Sequence, residues 1–195
     1  MRHPDPQKRQ QILDAAGRLF AAGRYDRIKL DDVAAEAGVG KGTLYIYFHG
    51  KEDLYFCLIH EASAALIERL REQLARDEAT PAAARLRLIV QELVEFAFAY
   101  PQVYELFRTV GVGKDDARWR EKYAELSELI RQTIADGVAC GEFADPHPEL
   151  TAVFVPGLVR SASLFGPGGI QKETLVNHIL DILLRGIKKR GEAPR

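Results

Sequence analysis

The stretch Leu30-Asp-Asp-Val-Ala-Ala-Glu-Ala-Gly-Val-Gly-Lys-Gly-Thr-Leu-Tyr-Ile-Tyr-Phe48 decides how this chain is read. Its apolar residues fall at helical spacing on both sides of Gly38, with Val33, Ala34 and Ala37 before it and Val39, Leu44 and Phe48 after it. Asp31 and Asp32 occupy the first turn of the leading helix, where acids suit the helix dipole. Two helices joined by a short turn containing glycine make a helix-turn-helix unit. Small Ala34 and Ala37 let the two cross closely.

The outer face of the second helix carries more information. At about 100° per residue, Leu44 and Phe48 project to one side, and Gly42, Tyr45 and Ile46 to roughly the opposite side, with Thr43 and Tyr47 beside them. An ordinary solvated face would carry Lys, Glu or Gln. Any one of these residues alone reads as packing, but one short helix cannot bury every side. From Ala37 to Lys51 there is no acid, while Lys41, His49 and Lys51 lie within the stretch. A helix that enters a groove lined by phosphates needs those properties: no negative charge, little bulk at its start, and flat or apolar groups for base edges.

Residues 8–56 resemble the DNA-binding domain of the TetR family of one-component bacterial regulators. The resemblance is carried by Ile12-Leu-Asp-Ala-Ala-Gly-Arg-Leu-Phe20, Asp32-Val-Ala-Ala-Glu-Ala-Gly-Val39, Lys41-Gly-Thr-Leu-Tyr45, Tyr47-Phe48 and Lys51-Glu-Asp-Leu54. It implies that Lys41 and Gly42 sit at the major groove and the adjoining phosphate, and that Thr43 and Tyr45 contact bases or backbone. Ile46 would touch a thymine methyl, Tyr47 would bind phosphate through its hydroxyl, and Lys51 would hold the backbone again. Three positions depart from the family pattern. Lys29 and Leu30 stand where Thr or Ser is usual, Gly40 replaces a common Ser, and Gly50 replaces a Ser or Thr cap, a place glycine tolerates. These departures imply fewer side-chain phosphate contacts, with Lys29 as a substitute. The arm bearing Arg2, His3, Lys8 and Arg9 is read equally well as a further nucleic-acid contact or as a solvated end.

Outward from this unit, periodicity predicts helix nearly everywhere and sustained strand alternation nowhere. Ile12 to Phe20 form one helical face, stopped by Gly23. A long helix is expected from Lys51 to about Arg76, then one with Thr80 as cap and Pro81 at its first position. A short helix over Gln102–Val110, one from Asp115 to Cys140, one from Asp145-Pro146 to Phe165 kinked at Pro156, and a last one ending near Ile187 complete the count. The expectation is an all-α chain of nine helices: an N-terminal three-helix DNA-binding helix-turn-helix domain and a six-helix body for ligand binding and dimerisation. The boundaries are 1–50, 51–190, and a flexible tail over 191–195.

The aromatic residues Phe96, Tyr100, Tyr104, Phe107, Trp119 and Tyr123 concentrate in the body. They fill a core or line a pocket, and the resemblance implies a pocket for a small, often apolar effector. The last two long helices are apolar beyond what one buried face needs. Phe154, Leu158, Ser161, Leu175, Ile179, Ile182 and Leu183 are the candidate dimer interface. An intrachain core accounts for them about as well. The DNA reading favours a homodimer, because two-fold pairing places two short reading helices in successive major grooves.

The 195 residues are 47% hydrophobic and 28% charged, which suits globular domains and excludes a mainly disordered or fibrous chain. No apolar run approaches the roughly 18 residues of a membrane span, and two isolated cysteines favour a reducing cytoplasm. The net charge of −1 gives no sign of a nucleic-acid partner, but it averages unlike regions. Catalysis finds no support: there is no nucleophile elbow, phosphate loop or paired metal-binding histidines. Cys57-x-x-His60 has no second ligand pair, so neither metal nor cofactor is expected. These observations and the resemblance point to a cytoplasmic homodimeric regulator, not an enzyme, that binds double-stranded operator DNA. The resemblance implies a repressor released by a small-molecule effector, while the residues themselves do not distinguish a repressor from an activator. A constitutive DNA binder and, more remotely, a helical ligand-binding protein or enzyme without DNA binding are the other readings.

Overall fold

The computed structural model describes residues 5–22, 25–76, 79–101 and 117–187. The helices are α1 (Pro6–Ala22), α2 (Leu30–Glu36), α3 (Lys41–Tyr47), α4 (Lys51–Ala75), α5 (Ala82–Ala99), α6 (Ala117–Ala139), α7 (Pro148–Phe165) and α8 (Lys172–Ile187), with a 3-10 turn at Tyr25–Arg27. Among the described residues there are thus eight α-helices and no strand. The expected short helix over Gln102–Val110 lies outside them, as does the Gly23 stop. The chain divides into two compact units, residues 1–63 and 64–195, with α4 contributing to both.

In the first unit, α1 buries Ile12, Leu13, Ala15, Ala16 and Phe20, and Val33, Ala34, Leu44, Phe48 and Leu54 complete the core. The helix-turn-helix junction is closed by backbone chemistry. Gly38 adopts φ +63°, its N–H donates to the Ala35 carbonyl at 3.0 Å, and Val39 N–H donates to Ala34 O at 2.9 Å. This is a Schellman ending, which needs a residue at ease in the left-handed region. Gln11 of α1 then donates through Nε2 to the Ala37 carbonyl at 2.7 Å, satisfying an acceptor the end of α2 leaves open. At the other end of α2, the backbone N–H of Lys29 donates to Asp32 Oδ2 at 2.8 Å. The acid at the third helical position thus makes one half of a capping box, binding the cap residue's own N–H. The other half, a cap hydroxyl accepting a first-turn amide, has no counterpart in Lys29, whose ammonium cannot accept.

In the second unit, α5 packs against α6, α7 and α8. That central position explains why Leu86, Ile89, Val90, Leu93, Val94 and Ala97 are all buried, a face wider than a surface helix presents. The start of α5 corrects the expected cap. Pro81 is the cap residue (φ −53°, ψ 143°), and the amides of Ala82 and Ala83 donate to the two carboxylate oxygens of Glu142, at 2.7 and 3.0 Å. Gly137 of α6 faces this junction: a Cβ there would lie 2.3 Å from the Phe143 ring and 2.8 Å from Ala82 Cβ. The helix expected to begin at Asp145-Pro146 begins instead at Pro148. Asp145 is buried in the preceding loop, where its Oδ2 accepts from the Thr151 hydroxyl at 2.5 Å and its Oδ1 from His147 N–H at 2.9 Å. The chain then runs through Pro156 as one continuous helix.

Candidate nucleic-acid interface

Helix α3 is short and buries only Leu44 along its length, with Phe48 at its C-cap fully buried beneath it. This anchoring turns the opposite side outward, as the 100° rotation predicts: Tyr45 is 46% exposed and Ile46 66%. Gly42 is exposed too, and a Cβ at that position would meet open space. Neither packing nor backbone conformation requires glycine there, so the bare surface is not imposed by the fold. Thr43 is half-buried beside it.

The polar members of the face are tied to their own chain. Lys41 Nζ lies 2.8 and 3.0 Å from the two carboxylate oxygens of Asp31 at the start of α2. The hydrogen bond and charge of Asp31 hold its ammonium above the usual lysine pKa. Tyr47 is half-buried, and its hydroxyl accepts the backbone N–H of Asp5 at 2.9 Å, joining the start of α1 to the end of α3. Lys51 is used otherwise than as a free phosphate contact. Its ammonium donates to the carbonyl of Tyr25 and sits 4.1 Å from the centre of the Tyr25 ring. Burial lowers its pKa despite the nearby Asp26 and Asp32. Lys29 is exposed at the cap of α2. The roles of Asp31, Tyr25 and Asp5 carried no sequence signal, because each partner lies across a turn or on another helix.

The other expected sites are only partly brought together. Phe96 and Tyr100 pack at 5.0 Å between ring centres, and burial raises the Tyr100 pKa. Tyr123 is exposed and Trp119 half-buried, while Tyr104 and Phe107 lie outside the described residues. A groove bordered by Phe98, Ile170, Lys172 and Asn177 opens on the second unit, and none of those aromatics lines it. The candidate dimer residues divide. Leu175, Ile179 and Leu183 belong to the chain's own core, which corrects their assignment to a partner surface. Leu158 packs against that core from its edge. Phe154 at 57% exposure, Ile182 at 49% and Ser161 remain outside, and Leu150, Val153 and Phe165, absent from the candidate set, join them. Their signal was available: residues 150, 153, 154, 161 and 165 share one helical stripe.

Two family models cover most of the chain. Residues 12–57 match the model described as bacterial regulatory proteins, tetR family, and residues 79–187 match the tetracyclin repressor-like C-terminal domain. The chain belongs to the TetR family. It is therefore a transcription regulator of the helix-turn-helix, DNA-binding kind. The "Fatty acid metabolism regulator protein" of Bacillus subtilis (strain 168) is 26% identical to this TetR member over 94% of this chain and 97% of that protein. A TetR/AcrR regulator from Thermobifida fusca has the same fold, with a TM-score of 0.75 and 25% identity over 92% of this chain and 98% of that one. The structure of FadR from Bacillus subtilis in complex with stearoyl-CoA superposes with a TM-score of 0.67 and 21% identity, covering 91% and 98% of the two chains. Among the described residues, no helix of this TetR protein is long and apolar enough to cross a membrane, and no group of three metal-ligating side chains occurs. Cys57 is buried, with its sulfur 3.9 Å from Asp53 Oδ1.

Proposed function

We propose that this TetR-family protein is a cytoplasmic homodimeric repressor that binds a palindrome-like operator through α3 and is released by a small molecule held in its second unit. The observation that carries the reading is the outward face of α3, where Gly42, Tyr45 and Ile46 are exposed on a helix anchored from behind by Leu44 and Phe48. Base contacts fall to Thr43, Tyr45 and Ile46, and backbone contacts to Lys29, Lys41 and Tyr47. Lys51 supports this surface through Tyr25 and reaches phosphate only by giving up that carbonyl. Residues 1–50 form the reading domain and 51–190 the ligand and dimer domain.

Exposed Phe154 and Ile182, with Leu150, Val153 and Ser161, support pairing through α7 and α8. Pairing is needed because one seven-residue helix reads too little sequence, whereas a two-fold dimer reads two half-sites about one helical turn apart. Effector binding shifts the population of dimers away from the separation that fits those half-sites. Phe96, Tyr100, Trp119 and Tyr123, with Tyr104 and Phe107, are the proposed pocket.

The test is a mobility shift and footprint on DNA upstream of the protein's own gene. Two protected half-sites about one turn apart are expected, with release by a ligand that also changes Trp119 fluorescence. The Bacillus subtilis relative is named for fatty acid metabolism, so long-chain acyl-CoAs enter the screen first. A single protected patch, or a tight ligand that leaves DNA affinity intact, would count against dimeric reading or induction respectively.

A further inference from the structure

We infer that Asp31 is a built-in competitor for the DNA phosphate at Lys41, and that it sets the protein's DNA affinity low and its salt dependence shallow. The inference rests on the reading of α3 as the DNA-contacting helix. Lys41 opens the acid-free stretch and lies beside exposed Gly42, the part of α3 with least bulk. Its ammonium is nevertheless already neutralised, held by both oxygens of Asp31 at 2.8 and 3.0 Å. The pair is exposed on both sides, 60% at Lys41 and 59% at Asp31, so it exchanges readily. Lys51 is similarly engaged at Tyr25. Both lysines of the acid-free stretch thus meet the nucleic acid already engaged.

This arrangement has a thermodynamic signature. A lysine that meets a phosphate releases a cation condensed on the DNA, which adds about 0.9 to the slope of log affinity against log salt. When Lys41 leaves Asp31 to do so, it gives up an exposed ion pair that added salt itself weakens. The competition is therefore strongest at low salt and fades as salt rises, so the contact adds less than that value to the slope. The uncovered carboxylate also stays within a few ångströms of the phosphate and repels it. Asp31 therefore acts twice against non-specific binding, once by holding Lys41 and once by its own charge.

The experiment is a titration of labelled duplexes with wild type, Asp31→Asn, Asp14→Asn and Lys41→Ala/Asp31→Asn, at several salt concentrations. One duplex carries the DNA upstream of the gene, and the other is a scrambled sequence of equal length and composition. Asp14 is an exposed acid on α1 that accepts from Gln10 and pairs with no cation among the described residues, so its variant makes the same change in net charge away from the pair. For Asp31→Asn the expected results are binding of both duplexes tighter by about two- to fivefold per protomer at low salt, and a steeper slope, by no more than about 0.9 per protomer. Asp14→Asn leaves the slope unchanged, and removing Lys41 as well abolishes the steepening. Weaker binding by Asp31→Asn, an unaltered slope, or an equal effect of Asp14→Asn would overturn the inference. Failure of every variant to bind either duplex would overturn the DNA reading itself, and the inference with it.

Discussion

Gly42 separates what the fold needs from what the surface does. Inside a helix, glycine costs about 0.5–1 kcal/mol relative to alanine, and here a methyl group would meet open space. Gly42→Ala is therefore expected to stabilise the first unit by about 0.5–1 kcal/mol in thermal or denaturant unfolding. If α3 seats against DNA, the same variant binds operator less tightly, and that opposition of signs is the diagnostic result. Tyr25 offers a second residue-scale prediction. Burial first, and Glu52 second, push its hydroxyl up to about 12 from an ordinary value of 10.0. The folded state favours the protonated form, so the stability this contributes is complete below pH 10 and is lost as the pH rises through 12. Tyr25→Phe is expected to flatten that part of the alkaline unfolding curve. At this scale the sequence was legible where one helix decides the outcome: rotation alone separates Leu44 and Phe48 from Tyr45 and Ile46. It was silent on Lys41 with Asp31, and on Lys51 with Tyr25, because those partnerships depend on how the chain turns back on itself.

Among the elements, the α2–α3 junction has its chemistry written locally. Gly38 stands at the left-handed position of a Schellman ending with nothing crowding its Cα, so substitution there is penalised by the backbone alone. Gly38→Ala is expected to lower stability by about 1–2 kcal/mol, the ordinary cost of that conformation for an L side chain. Chemical denaturation at neutral pH would measure it, and an unchanged midpoint would show that the turn had rearranged. The Gly38 turn was readable because a glycine between two apolar periodic runs has few other uses. The start of α5 was not. Thr80-Pro81 looked like a sufficient cap, yet a carboxylate sixty positions along the chain supplies it. Asp145 misled in the same way: before Pro146 it reads as the start of a helix, but its side chain organises the loop that precedes α7.

At the scale of the whole molecule, a net charge of −1 conceals an uneven placement. Residues 1–60 hold nine basic and eight acidic residues, with none of the acids between 37 and 51. The same limit of bulk reasoning appears in α7 and α8. Hydrophobicity shows that Leu175, Ile179, Ile182 and Leu183 leave water, but not whether the chain or a partner covers them. The fold resolves it: three lie in its own core and Ile182 faces out. Phe154 faces out as well, so Phe154→Asp is expected to leave the fold intact while reducing the proposed dimer to a 21.8 kDa monomer. Sedimentation at micromolar concentration decides it, and a dimer that survives the charge would move the interface elsewhere. The carboxylate of Glu142 also bears on the order in which the protein is made. A ribosome adds roughly 5–20 residues per second, so the cap of α5 is synthesised about 3–12 s after the amides it will receive. The bonds that brace the helix-turn-helix, from Gln11 to Ala37 and from Arg9 to Glu61, close within the first 63 residues. Synthesis thus delivers the DNA-reading unit with its braces already in hand, while the start of α5 waits for a carboxylate not yet made.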